Sequence, residues 1–305
     1  MIFHLGKVYA LPEEKLLPNK NGKKMAEIDN THEQEGGWLA KTAYALFDVG
    51  NSAVGAMHAT FIFAVYFAST VAPENGTSYW GYTTGAAALV VAILGPILGG
   101  LADSKAQRKM FLAVVVLIGV VANVLLWRVE PTQAFIWFAL IFSFFSILAN
   151  ELMFVFYNAL LPSVASKKNM GRVSGIGWAV GYFGAIIALV LALVIFIMPE
   201  EAPFGLDKEN SEHVRATMIL AGLWLLIFSL PLFMFVKEGK AASNLSKPWQ
   251  IIKTGWAEIG KIPGLRRFLI ARMLYVDGLT VVFAFIGIFA AKVFGFSGQD
   301  VLLFA

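Results

Sequence analysis

Asp48, Asn51, Ser52 and His58 stand inside the apolar stretch LFDVGNSAVGAMHATF, residues 46–61. A carboxylate there can carry a proton or hold a cationic group, and the amide and hydroxyl beside it can bind a small polar solute. An ionisable side chain within a bilayer costs about 2.5–3.5 kcal/mol on insertion scales, so it faces a cavity or a partner inside a helix bundle. On a helix Asp48, Asn51, Ser52 and Gly55 follow at i, i+3, i+4 and i+7, which puts them on one face. A second polar set, Asn150, Glu151, Tyr157 and Asn158, interrupts ANELMFVFYNALLPSVA, with Glu151 and Asn158 sharing a face two turns apart. Asp277, after Tyr275 and Val276, echoes the Phe47–Asp48 pair. Interhelical packing is the competing account of Asn51 and Ser52; it fits Asp48, the costlier group, less well.

The elements that must position these side chains are membrane spans. Hydrophobic residues make up 58% of the chain and charged residues 14%, with a mean hydropathy of +0.70, against roughly 25% charge in a soluble domain. Spans need about 20 apolar residues each, and seven windows qualify: 43–70, 79–101, 110–128, 134–158, 174–198, 216–236 and 267–291. An eighth opens at VLLFA, so the chain reads as an all-α polytopic membrane protein with seven complete spans and the start of another. Residues 1–42 form a polar tail, 43–236 a six-helix half, 237–266 a basic linker, and 267–305 the beginning of a second half. Trp38 and Tyr44 are expected to anchor the first span at the membrane interface. Gly177, Gly181 and Gly184 share one face of the fifth span, a spacing that lets helices approach closely.

Lys and Arg concentrate on cytoplasmic loops. Of the 24, 20 fall before the first span and in 102–110, 159–173 and 237–272. The opposite side keeps Arg128, Lys208, Arg215 and Lys292, and its loop at 199–215 is acidic. The N-terminus is therefore expected in the cytoplasm. Topology also explains the pI near 9.1 better than nucleic-acid binding does. In the basic linker, Trp249, Ile252 and Trp256 recur at helical spacing and predict a short amphipathic helix on the bilayer surface. Residues 1–40 lack the apolar core of a signal peptide, and Met25, nearer the first span than Met1, is a candidate start.

The chain has no Cys, and its four His (His4, His32, His58, His213) fall at no metal-ligand spacing. No phosphate-cradling Gly-Lys-Ser/Thr loop, Gly-x-Ser-x-Gly elbow or His-Glu-x-x-His helix occurs. The motifs thus give no cofactor, no metal site, no ATP drive and no enzyme.

Between spans two and three, Gly99, Asp103, Arg108 and Lys109 in GPILGGLADSKAQRKM resemble the signature loop of the major facilitator superfamily. The resemblance implies that Asp103 caps and pairs at a helix end to latch the inward gate. Ala106 stands where the family usually has Gly, and Gln107 where it has a basic residue. Three further pieces, LFDVGNSA, FYNALLPSVA followed by GRVSGIGWAVGYFG, and DGLTVVFAFIGIFAAKVFGFS, resemble the vacuole-effluxer-like branch of that superfamily. Val49 and Gly50 replace the branch's usual Trp-Ala pair.

What the resemblance implies is a secondary active permease or effluxer of small polar solutes, amino acids among them, working by alternating access in the lipid bilayer. Its two halves would hold the substrate near the midplane. Asp48, Asn51, Ser52, Asn150, Glu151, Tyr157 and Asn158 would line the substrate and proton pathway, with Asp277 as the second half's counterpart of Asp48. The superfamily normally has twelve spans, so the chain reads as a C-terminally truncated member or one completed by a partner chain. The vacuole of a fungus or the inner membrane of a bacterium would be its location. The competing reading is a non-transporting membrane sensor or scaffold derived from the same fold.

Overall fold

A computed structural model describes residues 36–239, 259 and 261–305. The polar tail up to residue 35, with Met25, and the surface helix expected around Trp249 lie outside the described residues. Among those described every regular element is helical, and seven helices are long and apolar enough to cross a membrane. They are α1 (Trp38–Val71), α2 (Gly76–Lys105), α3 (Arg108–Leu126), α4 (Gln133–Val164), α5 (Met170–Ile197), α6 (Glu212–Phe235) and α7 (Leu265–Phe294). A short α8 (Gly298–Phe304) follows, started by a capping box in which Ser297 and Asp300 satisfy each other's backbone N–H.

Burial separates the helices by role. Two thirds (67%) of the apolar window of α1 is buried, against 22% in α2 and α7, so α1 is the axis of the bundle. It packs along α5 and α6; α3 lies against α4 and α6, and α2 against α4. Outward-facing Leu89, Ile93, Leu117, Phe183, Val190 and Val281 are exposed. In a bilayer such side chains meet lipid tails as apolar as themselves, so close packing of small residues holds the helices together.

Gly residues set the closest approaches. A Cβ at Gly181 would stand 2.9 Å from Ser52 Oγ and 3.1 Å from Asp48 Cβ; at Gly177 it would stand 3.1 Å from Tyr157 Oη; at Gly184 it would overlap the Val49 side chain. This glycine face of α5 is therefore the seat of α1. On the other side of α1, a Cβ at Gly50 would stand 3.2 Å from the Leu225 backbone of α6. Val49 and Gly50 thus serve the helix contacts on the two flanks of α1.

Helix α1 is not uniform. Trp38–Val54 is α-helical, Gly55–Phe61 winds wider in a π turn closed by Ile62 N–H to Met57 O (3.1 Å), and Ile62 bends the chain at φ −109°, ψ −70°. A second π turn spans Phe67–Val71. Such insertions occur frequently at functional sites. The far half, from Gly55 onward, carries α7, whose Gly287 sits directly against the Thr60 carbonyl.

The end of the bundle holding Lys105, Arg108, Lys109, Lys167 and Lys168 is the basic end. There the α2–α3 turn is closed by Ala106 in the left-handed conformation (φ 50°, ψ 44°), with Gln107 N–H donating to Ala102 O at 2.9 Å. The turn is as tight as the glycine version would be. Alanine holds it at the cost of a Cβ in a region L-residues avoid.

Candidate functional site

Asp48, Asn51 and Ser52 lie in the first half of α1, where its face turns toward α4 and α5. Asp48 is 2% exposed and Asn51 1%. Tyr157 of α4 stacks on Tyr44 at 4.0 Å between ring centroids and on Phe47 at 4.9 Å, and its hydroxyl donates to Tyr44 O at 3.0 Å. Asn150 Nδ2 donates to Asn51 O (3.0 Å) and Asn51 Oδ1 (2.9 Å), which ties the middle of α4 to the middle of α1. Ser52, half-buried, turns its Oγ toward Gly181.

Tyr44 is not an interfacial anchor. It is 1% exposed and lies within the bundle, because it falls one helical turn before Phe47 and Asp48 on the same buried face. Trp38, 73% exposed, remains at the helix end.

Three buried atoms in this cluster have no hydrogen-bond partner among the described residues: Asp48 Oδ2, Asn51 Nδ2 and Tyr44 Oη. An unpaired buried polar atom costs about 1–3 kcal/mol, and a charged one more. Gathering three within two turns of the central helix is a local conflict with stability of the kind folds retain at functional sites. Chemically, Asp48 can take up a proton or a cationic group, with Tyr157 and Ser52 beside it.

The other residues that the sequence singles out spread more widely. Glu151 and Asn158 are half-buried next to Asn150 and Tyr157. Asp277 is exposed on α7 and does not join the cluster. It lies ten residues before Gly287, about 15 Å along the helix; Asp48 lies twelve before Thr60, about 18 Å, toward the same end. The two carboxylates thus share a depth but not a cavity.

In the α2–α3 turn Asp103 pairs with Arg108. Lys109 reaches across to the end of α6, its Nζ donating to Phe233 O (2.7 Å) and Val236 O (2.8 Å) and its N–H to Glu238 Oε1 (3.2 Å). A cation on the last carbonyls of a helix complements its dipole. Gly99 lets α2 approach Val155 of α4, where a Cβ would meet Val155 Cγ1 at 3.2 Å.

Two arrangements go beyond what the sequence pattern suggests. Arg215, read from sequence as a loop residue, belongs to the first turn of α6 and is 5% exposed. Its Nη1 donates to Trp127 O (3.1 Å), its Nη2 faces Glu212 Oε1 (3.5 Å), and its guanidinium lies 5.1 Å from the Trp127 ring centre. A recess of about 400 Å³ adjoins it, lined by Trp127, Arg128, Glu130, Phe135, Glu212 and Arg215. The second is a buried network around His58, whose Nε2 meets Ser143 Oγ (3.1 Å) and whose Nδ1 meets Ser146 Oγ (3.3 Å). Asn123 Nδ2 donates to Ser146 Oγ (2.9 Å) and to Gly119 O (2.8 Å). Each of these residues is a polar group in an apolar span, the same signal that singles out Asp48.

Seven membrane-long helices thus pack around a central helix that carries a buried carboxylate, the architecture of a multi-pass membrane protein. Residues 63–305 match the family described as vacuole effluxer Atg22 like, and the chain belongs to that family. It is 26% identical over 262 residues to the uncharacterised MFS-type transporter YxiO of Bacillus subtilis, covering 82% of this chain and 58% of that protein. It is 27% identical over 142 residues to autophagy-related protein 22 of Cryptococcus neoformans, covering 43% of this chain and 24% of that one. The chain thus spans little more than half the length of the first of these relatives and a quarter of the second. Among solved structures, the inward-open xylose transporter XylE from E. coli gives a TM-score of 0.45 at 15% identity, over 78% of this chain and 55% of that one. The family description and the name of the Bacillus relative are of transporter type.

Proposed function

We propose that the chain forms the first half, and the opening of the second, of a secondary transporter that moves small polar solutes across a membrane by alternating access. The observation that carries this reading is Asp48: a carboxylate on the most buried helix, one oxygen unpartnered, in a family of effluxer type. In this reading Asp48, Asn51, Ser52, Asn150, Glu151, Tyr157 and Asn158 line the path. Asp48 or Glu151 carries the coupling proton, and Asp277 contributes from α7. Asp103, Arg108 and Lys109 act as the gate at the basic end, which faces the cytoplasm under the positive-inside rule. Amino acids lead the candidate substrates because a carboxylate beside amides can receive an ammonium group.

The test is solute counterflow in proteoliposomes of the native protein with a panel of radiolabelled amino acids across pH 5–8. Exchange is expected for at least one, with Asp48→Asn lowering it more than tenfold and flattening its pH dependence. If Asp48→Asn and Glu151→Gln both leave exchange and its pH profile intact, the site assignment is wrong. Saturable binding without exchange moves the protein to the sensor class.

A further inference from the structure

We propose that His58, Asn123, Ser143 and Ser146 form a latch that holds the far half of α1 against α3 and α4, and that α1 opens at its wide turn when this latch parts. In the transporter reading, the opening lets the far half of α1 move with α7; the latch itself stands on geometry that does not need that reading.

The first support is the network's connectivity. Ser146 Oγ accepts the Asn123 amide and meets His58 Nδ1 at 3.3 Å. His58 Nε2 meets Ser143 Oγ at 3.1 Å, and in the neutral ring one nitrogen donates while the other accepts. One imidazole therefore bridges two hydroxyls one helical turn apart on α4, and α3 holds the second of them in place. The rest of the ring's surroundings are aromatic, Phe63 at 5.4 Å and Trp80 at 5.5 Å between centroids. The ring nitrogens have these two hydroxyls and no alternative partners among the described residues, so the latch is either made or broken.

The second support is where the ring sits. His58 lies in the π turn Gly55–Phe61, immediately before the bend at Ile62. Thr60 Oγ1 donates back to Gly55 O (3.2 Å) within that turn, and a Cβ at Gly55 would meet nothing within 4 Å. The turn is open at its Gly55 end.

The third support is that the two halves of α1 answer to different neighbours. The near half is clamped to α5 through Gly177, Gly181 and Gly184 and to α6 through Gly50. The far half carries α7 on the Thr60–Gly287 contact. Between them the latch ties the wide turn to α3 and α4, and beyond it Tyr66 Oη donates to Val129 O at 2.9 Å.

The chain contains no Cys, so one introduced thiol reports without background. Ala59→Cys sits half-buried beside the latch, and Ala53→Cys sits fully buried on the near half. The measurement is the rate of labelling by a membrane-permeant maleimide, in vesicles holding the full-length protein. Ser146→Ala and Asn123→Ala are each expected to speed labelling at Ala59→Cys about fivefold, the weight of one net hydrogen bond, while Ala53→Cys stays within twofold. His58→Leu, which removes both ring bonds, should speed it further. If Ser146→Ala and Asn123→Ala leave Ala59→Cys unchanged, the latch does not control α1. If both positions accelerate together, the variants loosen the whole bundle and the proposal fails. Either failure leaves the transport reading to its own counterflow test.

Discussion

Gly184→Ala tests the seam on which α1 rests. A Cβ at position 184 would overlap Val49 Cγ1 and stand 2.9 Å from Val49 Cβ and 3.0 Å from Cγ2. Carbon atoms settle at about 3.5–4.0 Å, so the shortfall is at least about 0.5 Å. Turning Val49 about χ1 exchanges one methyl for another and leaves its Cβ where the backbone puts it. The helices must therefore part, and parting them loosens the contacts of Gly181 with Asp48 and Ser52 and of Gly177 with Tyr157 on the same face. Over-packing of this kind costs about 1–3 kcal/mol. The assay is a thermal or denaturant melt of the purified protein in detergent, run as a double-mutant cycle with Val49→Ala. The double variant removes the overlaps with Cγ1 and Cγ2 but keeps Cβ against Cβ at 2.9 Å, so it should recover part of the loss, with a coupling energy of about 0.5–1 kcal/mol. A neutral Gly184→Ala, or a double variant as unstable as the sum of the singles, would refute the close seam.

Other expectations follow from the ends of the bundle. Ala106→Gly removes a left-handed strain of about 1–2 kcal/mol and gives back about 0.4–1 through the freer unfolded chain; a net gain near 0.5–1 kcal/mol should appear in the same melt. Lys109→Gln frees the carbonyls of Phe233 and Val236 and should raise hydrogen exchange across 233–238 while leaving the glycine seam protected. In the α5–α6 loop, Asn210 Nδ2 and Glu209 N–H donate to the Asp207 carboxylate and hold it below the usual carboxylate range. Its contribution to loop order is thus fully present above about pH 4 and is lost as pH falls through the lowered value. Amide protection at Glu209, corrected for intrinsic rate, should stay flat from pH 8 to 5, and Asp207→Asn should lower it throughout.

The spans themselves are legible in the sequence because 20-residue apolar windows have few other meanings in water-exposed chains. The polar members of α1 and α4 are legible for the same reason in reverse. Their pairing is not: i, i+7 spacing puts Glu151 and Asn158 on one face without saying what that face meets, and the amide that reaches Asn51 belongs to Asn150. One residue of register is about 100° of helix, and only tertiary packing fixes it. Residue type misleads at Tyr44. Tyrosine suits an interface, but its position one turn from Phe47 and Asp48 puts it on the buried face. Charge misleads at Arg215, since a guanidinium belongs in a loop by default until a carbonyl such as that of Trp127 satisfies it. The His58 network draws on three helices at once, so no single stretch of sequence carries it.

The glycine face of α5 also shapes how this chain can change over generations. Every amino-acid replacement of a glycine introduces a Cβ, so at position 184 no replacement is conservative. Drift there is open only to lineages that first trim Val49 or accept a displaced α1. The two positions are expected to vary as a pair across descendants of this gene, and the seam sets the tempo at which its central helix can diverge.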